Sequence, residues 1–168
     1  MKQLSKPMKK QILSAILLSL FFICASAQTD AQKKIPPFKI LLSNGTYLSP
    51  DKLAKKPVVL IYFAPDCDHC RTLMQSFFKQ VSNFSGTEVV MITFKPLEEV
   101  NRFVYDYGVG KYPYIKVGTE GNTFFIRYFY KLTNTPFVAV FDKTGNLFKE
   151  YRKISDAAAL IQDVKKLK

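Results

Sequence analysis

Residues 58–84, VVLIYFAPDCDHCRTLMQSFFKQVSNF, decide the fold. Pro57 to Phe63 is β-branched, aromatic and uncharged. Continuous rather than alternating apolarity predicts a central strand covered on both faces. Ala64 to Asp66 forms the exit. Cys67-Asp68-His69-Cys70 then opens a periodic segment in which Leu73, Phe77, Val81 and Phe84 recur at helical spacing. This predicts a helix over 68–84, ended at Ser85-Gly86. A strand, a short exit and a helix that starts on a Cys-x-x-Cys pair is a specific arrangement. Two intervening residues in a first helical turn bring both sulfurs within disulfide distance. Cys67 falls where free backbone N–H groups and the helix dipole favour a negative charge, so its thiolate is favoured. Cys70 lies one turn in and is expected to be more buried. Cys67 is therefore the expected attacker of a disulfide and Cys70 the thiol that resolves the mixed disulfide.

Outward from this core, Glu88 to Phe94 is a second strand and 97–107 a helix ended by Gly108 and Gly110. Tyr112 to Val117 reads as strand or extended chain broken at Gly118. Residues 122–130 carry alternating aromatics, yet a helix from Asn122 fits the order better. Phe137 to Phe141 is a third core strand, Asp142 to Asn146 a hairpin turn, and Leu147 to Tyr151 an antiparallel return. Ser155 is placed to cap a last helix over 156–167. The order implies an α/β domain, a mixed sheet with helices on both faces. The Tyr112–Tyr130 stretch is rich in rings, either packed around the helix or forming an exposed client groove.

The chain has 168 residues, 48% hydrophobic and 14% aromatic, with a formal net charge of +12. This is enough for one full core and too apolar for disorder. Lys2, Lys6, Lys9 and Lys10, an uncharged run from Ile12 to Ala25, and Ala25-Ser26-Ala27 read as a secretory signal over 1–27. The apolar run rises about 21 Å as a helix, short of a bilayer core of about 30 Å. Phe22 and Ile23 are too bulky for the approach to a lipidated Cys24. Residues 28–37 read as a flexible leader and 38–168 as the domain. The protein is thus expected to be exported to the periplasm or another extracytoplasmic space, or membrane-associated if the signal is retained. Without the signal's four lysines the net charge is +8. The lysines are scattered and make no arginine-rich stripe, so no nucleic-acid partner is expected.

Of the chain's 3 cysteines, only Cys67 and Cys70 follow the signal. One close pair closes too short a loop to staple a fold, so its chemistry explains it better. A bound metal and an inert disulfide are the other readings. One pair and its enclosed His69 offer three ligands where a closed zinc site takes four, while soft thiolates suit Cu(I). No metal and no cofactor are expected beyond a redox-active Cys67–Cys70 disulfide. His69 and Arg71 add positive potential near Cys67, and Asp66 and Asp68 oppose it. These four are the expected tuning residues. Thr135-Pro136 precedes the third core strand. A cis bond there holds a substrate backbone beside Cys67, and the residues alone do not choose between cis and trans.

Val58–Phe63, Ala64-Pro65-Asp66-Cys67-Asp68-His69-Cys70, Thr135-Pro136 before Phe137–Phe141, and Asp142-Lys143-Thr144-Gly145 together resemble the thioredoxin-like superfamily. More narrowly they resemble its exported TlpA/ResA-like thiol–disulfide oxidoreductases. The resemblance covers roughly residues 38–168. It implies the thioredoxin fold, Cys67 as nucleophile, Cys70 as resolving thiol, and a cis peptide before Pro136 across from the pair. It further implies client proteins with cysteines or disulfides, reduced or isomerised, and a membrane electron donor. Net dithiol oxidation, which His69 suggests by likeness to DsbA, and a non-enzymatic interaction or Cu(I)-handling role are the alternatives. Two positions depart from thioredoxin itself: Asp66 replaces the Trp before the first cysteine, and Ile61 replaces a buried acid. The PxxxTxxC arrangement of peroxiredoxins is missing.

Overall fold

The computed structural model describes residues 33–168. The expected signal over 1–27 and most of the leader lie outside the described residues. A seven-stranded sheet carries the order β2-β1-β5-β4-β3-β6-β7. Its strands are β1 Ile40–Leu42, β2 Tyr47–Leu48, β3 Val58–Tyr62, β4 Glu88–Thr93, β5 Ile115–Thr119, β6 Phe137–Phe141 and β7 Leu147–Tyr151. β3, β4 and β5 are parallel, and β1, β6 and β7 join antiparallel. The helices are α1 Asp68–Lys79, α2 Leu97–Asp106, α3 Phe125–Phe129 and α4 Ala158–Leu167. Among the described residues no helix is long and apolar enough to cross a membrane.

All five residues of β3 are buried, as its unbroken apolarity requires. Period-2 alternation sends Val59 and Ile61 to one face and Leu60 and Tyr62 to the other. On the first face they meet Cys70, Leu73, Phe77, Val100, Leu160 and Val164, so α1, α2 and α4 cover it. On the second they meet Phe38, Ile40, Ile126 and Tyr130, so α3 and the β1–β2 hairpin cover that one. Burying one Phe or Leu side chain contributes about 1.5–3 kcal/mol. The fully buried Phe63, Phe77, Phe84, Phe137 and Phe141 therefore make the sheet the rigid platform on which the loops at its ends are held.

Several boundaries differ from the sequence expectation. The helix expected over 68–84 stops at Lys79, and Val81–Phe84 forms a 3-10 turn. Three residues per turn keep Val81 and Phe84 on one line, so both still face the core. The strand expected to break at Gly118 runs through it, because only glycine fits there. A Cβ would lie 2.7 Å from the Leu41 carbonyl oxygen. The helix expected from Asn122 starts at Phe125, after a left-handed Phe124 at φ 47°. Its N-terminal donors are served by Glu120, whose Oε2 accepts the Ile126 N–H at 2.9 Å. The last helix begins at Ala158 rather than 156, and Asp156 Oδ1, not Ser155, accepts the Ala158 N–H at 2.8 Å. The end of the expected flexible leader is tied down. Lys34 bridges Asn146, the Ile35 N–H donates to the Gly145 carbonyl at 3.0 Å, and Pro36 is buried. The 142–146 turn that receives it is fixed in place by Asp142, whose Oδ1 accepts the Thr144 and Asn146 N–H groups.

Candidate redox site

β3 delivers the chain to the site. Its continuation is still paired at Phe63, whose N–H donates to the Ile92 carbonyl at 3.0 Å. The chain turns at Ala64, which accepts the Cys67 N–H at 3.1 Å. Cys67 is the N-cap of α1, with extended φ and ψ of −93° and 123°, and its carbonyl accepts the Arg71 N–H at 2.9 Å. The Cys67 side chain is therefore left at the end of the helix, half-buried, while Cys70 faces the core and is 1% exposed. Both are free thiols.

The second half of the site comes from far along the chain. The Thr135–Pro136 peptide is cis. The Cys67 Sγ donates to the Thr135 carbonyl oxygen at 3.6 Å. β6 is antiparallel to β3 with Tyr62 opposite Phe137, so the residues just before β6 necessarily meet those just after β3.

The two thiols are pushed in opposite directions. Partial burial works against a Cys67 thiolate. Hydrogen bonding from the Thr135 and Cys70 side chains and from the backbone N–H groups of Cys70 and His69 outweighs it and brings the Cys67 pKa below its ordinary value. Burial pushes the Cys70 thiol up to about 12, and the neighbouring Cys67 adds to the rise. The contacts that favour the Cys67 thiolate are thus hydrogen bonds from Thr135 across the site and from the first turn of α1.

The four expected tuning residues sit around this pair in a different way. Asp66 is engaged by Lys95 at 2.5 Å, and that hydrogen bond holds the Asp66 carboxyl below the usual range. Asp68 pairs with Arg71. Each acid near Cys67 therefore has its own cation. His69 is exposed and lines a groove of about 610 Å³ with Cys67, Thr135 and Pro136. Arg71, Asp66 and Cys70 line a second groove of about 510 Å³ on the α2 side. The site residues named from the sequence thus converge on one end of the sheet, where Cys67 is partly open and Cys70 is sealed beneath.

Sequence reasoning missed Lys95, Glu120, Arg127 and Lys153. Lys95 and Glu120 follow the C-terminal ends of β4 and β5, next to the exit of β3. Ligand-facing groups gather at the carboxyl ends of adjacent parallel strands, so counting past each strand end would have found both. Glu120 is 6% exposed, and burial raises its pKa. Arg127 and Lys153 line the groove beside Cys67. They reach it from α3 and from the loop after β7, which no local pattern connects to Cys67. The aromatic stretch divides. Tyr130 is buried, Phe124, Phe125 and Phe129 are half-buried, and Tyr128 is 72% exposed. Among the described residues no three His, Cys, Asp or Glu side chains gather as a metal-ligand set.

A mixed sheet, a Cys-x-x-Cys pair at the start of the helix after a central strand, and a cis proline opposite it define a protein of the thioredoxin fold. Residues 31–163 match the AhpC/TSA family, and the chain belongs to it. Among curated proteins it is similar to protein disulfide isomerase-like 1-1 of Arabidopsis thaliana, 26% identical over 159 residues, which are 92% of this chain and 31% of that one. The chain thus spans about a third of that relative. Among solved structures it is similar to a secreted disulfide oxidoreductase of Mycobacterium tuberculosis homologous to Escherichia coli DsbE. The TM-score is 0.65 at 18% identity, covering 78% of this chain and 96% of that one. The exposed lipoprotein thioredoxin of Streptococcus pneumoniae gives a TM-score of 0.58 at 18% identity, covering 77% and 98%.

Proposed function

We propose that the chain is a thiol–disulfide oxidoreductase that reduces or isomerises disulfides of extracytoplasmic proteins. The observation that carries this reading is the contrast within one pair: a half-exposed Cys67 with its thiolate favoured, beside a sealed Cys70 held protonated. The Cys67 thiolate attacks one sulfur of a client disulfide, forming a mixed disulfide and releasing the other client sulfur as a thiolate. Cys70 then loses its proton, attacks the Cys67 Sγ and releases the second client thiolate. Two electrons pass to the client, two protons complete its thiols, and a Cys67–Cys70 disulfide remains. An external dithiol donor restores the pair. Isomerisation follows when a released client thiolate attacks the mixed disulfide before Cys70 does.

The Cys70 pKa fits this order. A resolving thiol that stays protonated leaves the first mixed disulfide time to sample the client. The missing PxxxTxxC arrangement favours dithiol exchange over peroxide chemistry, the family's name notwithstanding. Export is supported by the basic start, the apolar run and Ala25-Ser26-Ala27, and by the likeness to one protein described as secreted and another as exposed.

Insulin reduction with dithiothreitol as donor tests the reading. The wild-type protein should accelerate precipitation of the insulin B chain. Cys67→Ser should abolish this, and Cys70→Ser should abolish turnover while accumulating a mixed disulfide. Wild-type rates equal to dithiothreitol alone would refute the proposal.

A further inference from the structure

The groove beside Cys67 has a one-sided charge. Arg127 and Lys153 line it, and among the described residues no Asp or Glu does. Among the described residues, three of the nearby acids are engaged elsewhere. Asp68 pairs with Arg71, Glu150 with Arg152, and Asp156 accepts from Ser76 and Ala158. Glu120 is buried, uses Oε2 on the Ile126 N–H and is near enough to Arg127 for the two charges to attract, which offsets part of the Arg127 charge. Lys153 is exposed. The guanidinium of Arg127 is held over the rings of Phe94 and Phe124 at 5.3 and 5.8 Å. Those contacts fix its position and leave its donors for another group. A carboxylate is the acceptor that a planar fork of guanidinium donors fits best.

We propose that this groove selects client segments carrying carboxylates beside the reacting cysteine, with Arg127 and Lys153 receiving those carboxylates while Cys67 attacks the disulfide. This rests on the oxidoreductase reading and adds the class of client to it. The chemical step is the exchange already described. The charges change how fast and in what orientation a client docks, since rim charges act mainly on association and on its salt dependence.

The test uses the reduced full chain and two cyclic disulfide peptides, identical except that two Glu or two Lys flank the cysteines. Single-turnover reduction is followed by chromatography. At low salt the Glu peptide should react about tenfold faster than the Lys peptide, and high salt should bring the two within about twofold. Lys153→Gln and Arg127→Gln should each lower the Glu/Lys rate ratio about threefold. Taking a ratio cancels any general effect of a variant on Cys67. Lys143→Gln, in the 142–146 turn, should leave the ratio as it is. Equal rates for the two peptides, or a ratio unmoved by both groove variants, would overturn the inference while leaving insulin reduction intact. Failure to reduce either peptide or insulin would instead remove the oxidoreductase reading, and the inference with it.

Discussion

Alkylation of the reduced protein reads the asymmetry of the thiol pair directly. Cys70 is raised from an ordinary 9.0 to about 12, so at neutral pH it is ionised about a thousandfold less than an ordinary thiol. A more basic thiolate is also a better nucleophile. With a Brønsted coefficient of about 0.4–0.5 this returns about twentyfold. The net handicap of Cys70 is then about fiftyfold before its 1% exposure is counted. Cys67 is shifted the other way, which widens the gap. Iodoacetamide at pH 7, followed by peptide mass spectrometry over time, should label Cys67 at least about fiftyfold faster than Cys70. The rate at Cys67 should rise with pH and level off with an apparent pKa below 9.0. In Cys67→Ser, Cys70 should remain slow, because burial and not its neighbour is the main cause of its shift. Labelling of the two cysteines at similar rates, or of Cys70 first, would refute the assignment of attacker and resolver.

Asp163 is buried, 3.0 Å from the Lys166 Nζ and 3.1 Å from the Lys149 Nζ, and accepts from the Tyr151 hydroxyl. Burial opposes its charge, but these partners hold its pKa at about 2 against an ordinary 3.8. A depressed carboxylate stabilises the fold above its unfolded pKa and loses that contribution as pH falls through the folded one, at about 1.4 kcal/mol per pKa unit. Asp163→Asn should therefore cost about 2 kcal/mol in urea unfolding at pH 7, and the difference from wild type should fade between about pH 4 and pH 2. A cost that persists unchanged at pH 2 would rule out this origin. Gly118→Ala should cost about 1–3 kcal/mol, because its Cβ meets the Leu41 carbonyl at 2.7 Å and the Ile40 Cδ1 at 3.0 Å. An unchanged urea midpoint would mean that β1 shifts freely.

What the sequence made legible has a common cause. β3 and α1 are written in their own residues, one by unbroken apolarity and the other by 3.6-residue spacing, and both lie in the heart of the core. The thiol pair is legible because two cysteines three residues apart at a helix start have few other uses. What stayed hidden depends on distant residues. The resemblance implied that Thr135 meets Cys67, but only the antiparallel register of β6 on β3 supplies the physical reason. The Asp66–Lys95 pair needs the parallel register of β4. Gly118 reads as a strand breaker until Leu41 is seen packed on it. Residues 34–37 read as a loose leader because their partners, Gly145 and Asn146, lie more than a hundred positions away. The groove cations escaped notice for the same reason, being scattered singly along the chain and assembled only by the fold.

The anchoring of Lys34 and Ile35 on the 142–146 turn has a practical meaning. That turn follows β6, whereas Cys67 follows β3, and the two strands run in opposite directions past each other. Entry point and the Cys67 sulfur are thereby assigned to opposite poles of the sheet, separated by the five residues of β3, about 16 Å. A purification tag, a surface linkage or a second module joined ahead of Lys34 would enter the domain at the pole away from Cys67.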